Sequence, residues 1–121
     1  MDTAEQWFNK GVQEDKAGDY EAALASFDRA ISIQVDYNRA WNAKGNTLLK
    51  LGRWREALAS YEKAIEINPN DYNPWNGKGN VLKELGDYDK ALLCYEKALE
   101  IKPDAYIIWQ NKATLLKDCG S

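Results

Sequence analysis

Apolar and small residues are spaced three and four apart along most of the chain, and the pattern starts again after 34 residues. Trp7, Trp41, Trp75 and Trp109 mark that step. Lys10, Lys44, Lys78 and Lys112 follow it, as do Gly11, Gly45, Gly79 and Ala113, and Gly18, Gly52, Gly86 and Gly120. Later in each period come Ala23, Ala57 and Ala91, then Phe27, Tyr61 and Tyr95, then Ala30, Ala64 and Ala98. Each period reads as two helices. In the second they run from about residue 38 to 51 and from about 54 to 67, divided by Leu51-Gly52-Arg53 with the glycine supplying the C-cap conformation. Asp19 and Asp87 stand where an N-cap is wanted. Pro69 and Pro103 stop the second helices of their periods, because proline cannot continue the hydrogen-bond ladder; Val35 takes that place in the first. No segment alternates as a strand does, so the expected class is all-α with about seven helices.

The small residues predict close helix approach. Gly45 and Ala57 are expected to face each other within one period, Trp41 to fill the space against the neighbouring one, and Leu58 and Tyr61 to complete that layer.

Composition removes several function classes. The 121 residues carry 16 basic and 19 acidic side chains, a formal net charge of −3, which opposes general nucleic-acid binding. The longest apolar run, 105–109, is far short of the roughly 20 residues that cross a bilayer. The first five residues are acidic and have no apolar stretch, so no signal peptide is expected. The absence of histidine removes the commonest general base and metal ligand. Cys94 and Cys119 lie 25 positions apart with no CxxC spacing, so neither a metal nor a cofactor is expected. Two thiols suit a reducing compartment, and a cytoplasmic location is expected.

The order Trp41, Gly45, Leu48, Gly52, Ala57, Tyr61, Ala64, Pro69 resembles the tetratricopeptide repeat (TPR), and Trp75, Gly79, Leu82, Gly86, Ala91, Tyr95, Ala98, Pro103 resembles it again. The first period gives Trp7, Gly11, Gly18, Ala23, Phe27 and Ala30, with Glu14 and Val35 departing. On that resemblance a single array fills residues 1–121: full repeats at 4–37, 38–71 and 72–105, then an unpaired terminal helix at 106–121. The resemblance implies an α-solenoid of stacked antiparallel helix hairpins in a right-handed superhelix. It also implies a scaffold without chemistry of its own that holds a segment of a partner protein in a concave groove. The family often has leucine at the Lys10, Lys44, Lys78 and Lys112 positions. The lysines read either as snorkelling stems with the ammonium in water or as contacts for an acidic partner.

The first helix of each repeat would line the groove. Its outward columns are Phe8, Asn42, Asn76, Gln110 and Val12, Asn46, Asn80, Thr114, with Asn111 beside them. Asn42 and Asn46, like Asn76 and Asn80, stand one helical turn apart on one face. Stacking would set them side by side as an amide ladder able to pair with the backbone of an extended peptide. Alternatively the amides bond across adjacent helices and fix the stacking register. Phe8 and Val12 would form an apolar patch at one end, either an anchor pocket or a surface covered by the terminal residues.

TPR domains that hold the acidic C-terminal tails of heat-shock chaperones use Lys, Asn, Asn, Lys and Arg on successive groove helices. The matching positions are Phe8, Val12, Ala43, Asn73 and Gly77, and none fits. One repeat later they are Asn42, Asn46, Gly77, Ile107 and Asn111, where only Asn46 fits, so a chaperone tail is not expected as ligand. The charge is uneven: residues 1–37 carry a net −5 and residues 38–71 a net +2, read either as solvated surface or as a preference for a partner that is basic near the first repeat.

The terminal helix has no second helix after it, so the chain reads either as cut from a longer array or as closing by pairing with another copy, with Ile108, Trp109, Leu115 and Leu116 as the candidates for self-association. Two readings stand together: a peptide-binding module, and a structural domain that oligomerises through its last helix. RNA reading and enzyme activity are opposed by the charge and by the lack of any nucleophile–base constellation.

Overall fold

The computed structural model describes residues 2–119. Gly120 and the end of the predicted terminal helix lie outside the described residues. Seven helices follow one another: α1 (Ala4–Lys16), α2 (Tyr20–Ile33), α3 (Asn38–Lys50), α4 (Trp54–Ile67), α5 (Tyr72–Glu84), α6 (Tyr88–Ile101) and α7 (Tyr106–Cys119). No strand occurs among the described residues. The helices pair as antiparallel hairpins, α1 with α2, α3 with α4 and α5 with α6, and α7 packs on α6. The architecture is an α-solenoid of the TPR type. Among the odd-numbered helices each also touches its next odd neighbour, while α2, α4 and α6 do not touch one another. The odd helices therefore form the inner wall of the curve and the even helices the outer wall.

Local chemistry sets the ends. Thr3 and Gln6 form a reciprocal capping box at the start of α1: the Gln6 N–H donates to Thr3 Oγ1 at 3.1 Å and the Thr3 N–H to Gln6 Oε1 at 2.7 Å. Within each hairpin the chain reverses at a glycine in the left-handed region, Gly18 (φ 82), Gly52 (φ 74) and Gly86 (φ 85). The N–H after that glycine reaches back five residues, Asp19 to Glu14 O at 2.9 Å, Arg53 to Leu48 O at 2.9 Å and Asp87 to Leu82 O at 2.8 Å. That closed turn fixes the start of the next helix without a side-chain cap. Asp87 still accepts from the Lys90 N–H at 3.4 Å, but the expected cap at Asp19 is not made. The prolines are not what stops the second helices, because α2 has the same 14 residues as α4 and α6 without one.

Between hairpins a tryptophan does the fastening. The indole N–H donates to the carbonyl six residues back: Trp41 to Val35 at 2.9 Å, Trp75 to Pro69 at 3.0 Å and Trp109 to Pro103 at 2.8 Å. Each indole thus ties a first helix to the turn that delivers it. The lysine three positions later lies over the same ring, at 5.5 Å for Lys44, 5.8 Å for Lys78 and 5.3 Å for Lys112.

Those lysines correct both sequence readings. Their ammoniums are neither in open water nor in the groove. They pair with a carboxylate on the preceding hairpin: Lys44 with Asp28 at 2.8 Å, Lys78 with Glu62 at 3.4 Å and Lys112 with Glu96 at 3.5 Å. Asp28, Glu62 and Glu96 themselves stand one repeat apart, so each bridge is the same contact translated along the array.

The glycines of the first helices serve rings rather than alanines. A Cβ on Gly45 would stand 2.7 Å from the Tyr61 ring, and the equivalent distances are 2.6 Å from Gly11 to Phe27 and 2.6 Å from Gly79 to Tyr95. The ring is the nearest neighbour of Gly45. Ala57, fully buried, shares a cluster with Leu24, Leu48, Tyr61 and Val81. Gly77, absent from the predicted packing, lies against the other side of Tyr61, with only 2.4 Å for a Cβ.

The terminal helix is partly sealed. Ile108 and Leu115 are buried against α6, in one cluster with Tyr95, Ala98 and Leu99. They cannot serve self-association as the sequence suggested, because α6 already covers them. Trp109 (48 %) and Leu116 (49 %) remain open, together with Tyr106 and Ile107.

Candidate functional site

The inner wall is built from one face each of α1, α3, α5 and α7. At its centre lie the four asparagines, and the structure gives each a different environment. Tyr61, on α4, pushes its ring between Gly45 and Gly77 so that its hydroxyl emerges beside α3 and donates to Asn46 Oδ1 at 2.5 Å. Tyr95 does the same from α6, donating to Asn80 Oδ1 at 2.5 Å. Burial pushes both phenols well above the ordinary tyrosine value, so they stay neutral donors. The carbonyl ends of Asn46 and Asn80 are thereby fixed. Their Nδ2 groups donate to no other group among the described residues, and Asn46 is exposed.

Asn76 and Asn111 bond across adjacent inner helices, Asn111 Nδ2 donating to Asn76 Oδ1 at 3.0 Å. This is the register-fixing contact the sequence allowed. One repeat earlier it fails: Asn42 Oδ1 is buried and accepts no hydrogen bond among the described residues. The position that would supply its donor, equivalent to Asn111, is Gly77. Gly77 lies directly against the Tyr61 ring and offers no side-chain donor, whereas at the next junction Asn111 and Tyr95 occupy the same two positions together. The continuous amide ladder is therefore not formed. Gln110 is exposed and accompanies Tyr106, whose hydroxyl accepts from Gln110 Nε2 at 3.1 Å.

The apolar end of the wall is closed. Phe8 is only 7 % exposed, its ring centroid 5.8 Å from that of Phe27 and 5.3 Å from that of Tyr37. The Arg39 guanidinium lies over it at 4.8 Å. The cover comes from the turn before α3 and from α3 itself. Val12 is half-buried against the same cluster.

Charges flanking the asparagines are largely spent within the wall. Asp15 accepts from Thr47 Oγ1 at 2.8 Å and from Lys50 Nζ at 2.6 Å, joining α1 to α3. Lys83 meets Asp118 at 3.7 Å, joining α5 to α7. What remains to be offered is a neutral row of oriented amide N–H groups. The sequence had no way to show the Tyr–Asn bonds directly. The signal was present all the same: each tyrosine follows its asparagine by 15 residues in the second and third repeats, and in the first the same pair is Val12 and Phe27. No group of three or more metal-ligating side chains occurs among the described residues, and no helix there is long and apolar enough to cross a membrane.

Comparison with known proteins bears on this face. The tetratricopeptide repeat models match residues 39–71 and 72–105, and a second such model matches residues 4–36. No curated protein matches in sequence. Among solved structures, the first TPR of Spaghetti (RPAP3) bound to the HSP90 peptide SRMEEVD is similar with a TM-score of 0.94 at 17 % identity, over 98 % of this chain and 94 % of that one. The Arabidopsis OM64 TPR domain is similar with a TM-score of 0.90 at 20 % identity, over 94 % of each chain. The first of these corrects the exclusion of chaperone tails. That exclusion counted five side chains in a fixed register. A fold that overlays nearly all of this chain carries such a tail, so the count excludes nothing. With a TPR model over each of the three hairpins, this chain belongs to the tetratricopeptide repeat family.

Proposed function

We propose that this chain is a non-catalytic scaffold that holds an extended segment of a partner protein against the inner wall. The observation that carries the reading is the pair of pinned amides. With their carbonyl ends bound by Tyr61 and Tyr95, Asn46 and Asn80 present Nδ2 donors at fixed points on adjacent helices. Packed helices lie roughly 8–10 Å apart, and an extended chain rises about 3.3 Å per residue. Two such donors therefore meet backbone carbonyls about three residues apart, whatever the side chains between them. Acceptor-rich ligands suit donors of this kind, and acidic tails like the HSP90 peptide of the Spaghetti complex are among the first to test. Fluorescence anisotropy with labelled SRMEEVD and a panel of unrelated extended peptides gives the measurement. Binding of at least one member is expected, with a loss of about tenfold when Asn46 and Asn80 are both changed to Ala. Undiminished binding by that variant removes the reading.

A second reading, assembly through α7, keeps one favourable observation: Trp109 and Leu116 are half exposed on the face where a further helix would pack. Ala113 stands there in place of the glycines that admit a ring, so the occupant differs from the second helices of this array. Light scattering over a concentration series, with Leu116→Ser as control, measures it. A monomer throughout rejects assembly.

A further inference from the structure

The outer wall has its own recurring feature, a cleft beneath the tryptophan in the second and third hairpins. In the second hairpin it is lined by Glu56, Ala59 and Ser60 of α4 and measures about 350 Å³. In the third the same columns carry Lys90, Leu93 and Cys94 of α6, and the cleft widens to about 450 Å³. The first repeat has Ala22, Ala25 and Ser26 there. Stacking does not require the change: alanine suffices twice, whereas Leu93 leaves 65 % of its surface in water. Exposed bulky apolar side chains with no packing reason mark contact surfaces. Cys94, 5 % exposed, makes the floor apolar where the other repeats have a hydroxyl.

The rim is basic although the chain as a whole is acidic. Lys78, Lys90 and Lys97 surround the cleft, with Glu62 as the one carboxylate in its lining. Glu62 meets Lys78 at 3.4 Å, and Asp87 meets Lys90 at 3.7 Å from outside the cleft. Lys97 has no carboxylate within 4.0 Å among the described residues. We infer that this outer cleft of the third hairpin is a second docking site, which takes a bulky apolar side chain from an acidic segment of a partner protein. The apolar floor accepts the anchor, and Lys97, the rim ammonium with no carboxylate within 4.0 Å among the described residues, meets the flanking acids. Leu93 stands at the lip, where only a surface reaching beyond the cleft covers it, which favours a protein segment over an enclosed small molecule.

The probe is a labelled hexapeptide, Glu-Asp-Leu-Phe-Asp-Glu, acetylated and amidated so that it offers no free terminal carboxylate. Anisotropy gives the affinity and amide chemical shifts give the place. Saturable binding is expected, with shifts on α6 around Leu93 and Cys94. Leu93→Ala, which restores the residue of the other repeats, and Lys97→Glu each weaken it by about tenfold. The Asn46→Ala, Asn80→Ala variant binds as before, which separates this site from the inner wall. Unchanged thermal unfolding of Leu93→Ala keeps folding out of the result. The proposal is overturned by lack of saturation, by indifference to Leu93→Ala, or by shifts confined to α3 and α5. It is equally overturned if sodium oleate moves the α6 amides and the peptide does not, or if Leu93→Ala abolishes a dimer of the chain itself.

Discussion

The first hairpin and the second solve one packing problem with different chemistry. In the first, Phe27 enters against Gly11 and lies in an apolar cluster with Phe8, Val12 and Tyr37. In the second, Tyr61 enters against Gly45 in the same way, but its ring ends in a hydroxyl, and Asn46 stands where Val12 does. The third hairpin repeats the second with Tyr95 and Asn80. A buried phenol needs an acceptor. The asparagine is thus set by the tyrosine on the neighbouring helix before any ligand is considered. The same amide then has a donor end left over, which phenylalanine and valine cannot supply. Structural and binding readings of these residues are two ends of one side chain.

The largest way to break the comparison is to remove the ring. Tyr61 spans two hairpins, since it fills the space beside both Gly45 and Gly77. Tyr61→Ala is expected to cost about 3–5 kcal/mol. Urea unfolding measures it, and hydrogen exchange should show the loss concentrated in α3, α4 and α5, as nearest-neighbour coupling in an array requires. Phe27→Ala should instead open α1 to α3. Identical exchange patterns for the two variants would deny that each ring serves its own junction.

A smaller effect separates ring from hydroxyl. Asn46→Val leaves the buried Tyr61 hydroxyl without its acceptor, at about 1–3 kcal/mol. Tyr61→Phe removes the donor and costs about 1 kcal/mol. The double variant recreates the Val–Phe pair of the first hairpin and should return to within about 0.5 kcal/mol of the parent, a coupling that denaturant unfolding of all four proteins measures. The pH profile gives an independent check. Burial raises the phenol of Tyr61 in the folded chain, whereas in the unfolded chain it titrates near about 10. Above that pH the unfolded state holds fewer protons, so stability is full below about pH 10 and falls as the pH rises further. Tyr61→Phe should flatten that fall, leaving the part due to Tyr95.

Much of this was legible in the sequence. The period of 34 residues, the glycine turns and the two helices per repeat follow from residue types whose backbone preferences are local. What escaped was everything that depends on which neighbour a side chain meets. The ring that lies against Gly45 comes from 16 positions on, across the turn. Ile108 and Leu115 read as open because only the missing side of α7 was considered, while α6 covers the other. Phe8 and Val12 differ from the asparagines in their columns, but the cause lies in Phe27 on another helix. Leu93 and Lys90 carry no signal until folding sets them around the cleft beneath Trp75.

The smallest effect concerns the lysine column, and again the first hairpin supplies the contrast. Lys10 lies over Trp7 at 4.9 Å but has no carboxylate within 4.0 Å among the described residues. Lys44 has both its tryptophan at 5.5 Å and Asp28 at 2.8 Å. Lys10→Gln therefore removes the ring contact alone, about 0.5 kcal/mol at an exposed site. Lys44→Gln removes the bridge to the preceding hairpin as well, and should cost a further ~0.2–1 kcal/mol. Salt distinguishes the two parts. Asp28 is half exposed, so the excess cost of Lys44→Gln over Lys10→Gln should shrink toward zero in 1 M NaCl, where screening reaches only about 3 Å. An excess that persists at high salt would mean that the Lys44 stem, packed along Trp41, holds the hairpins together and the carboxylate merely sits nearby.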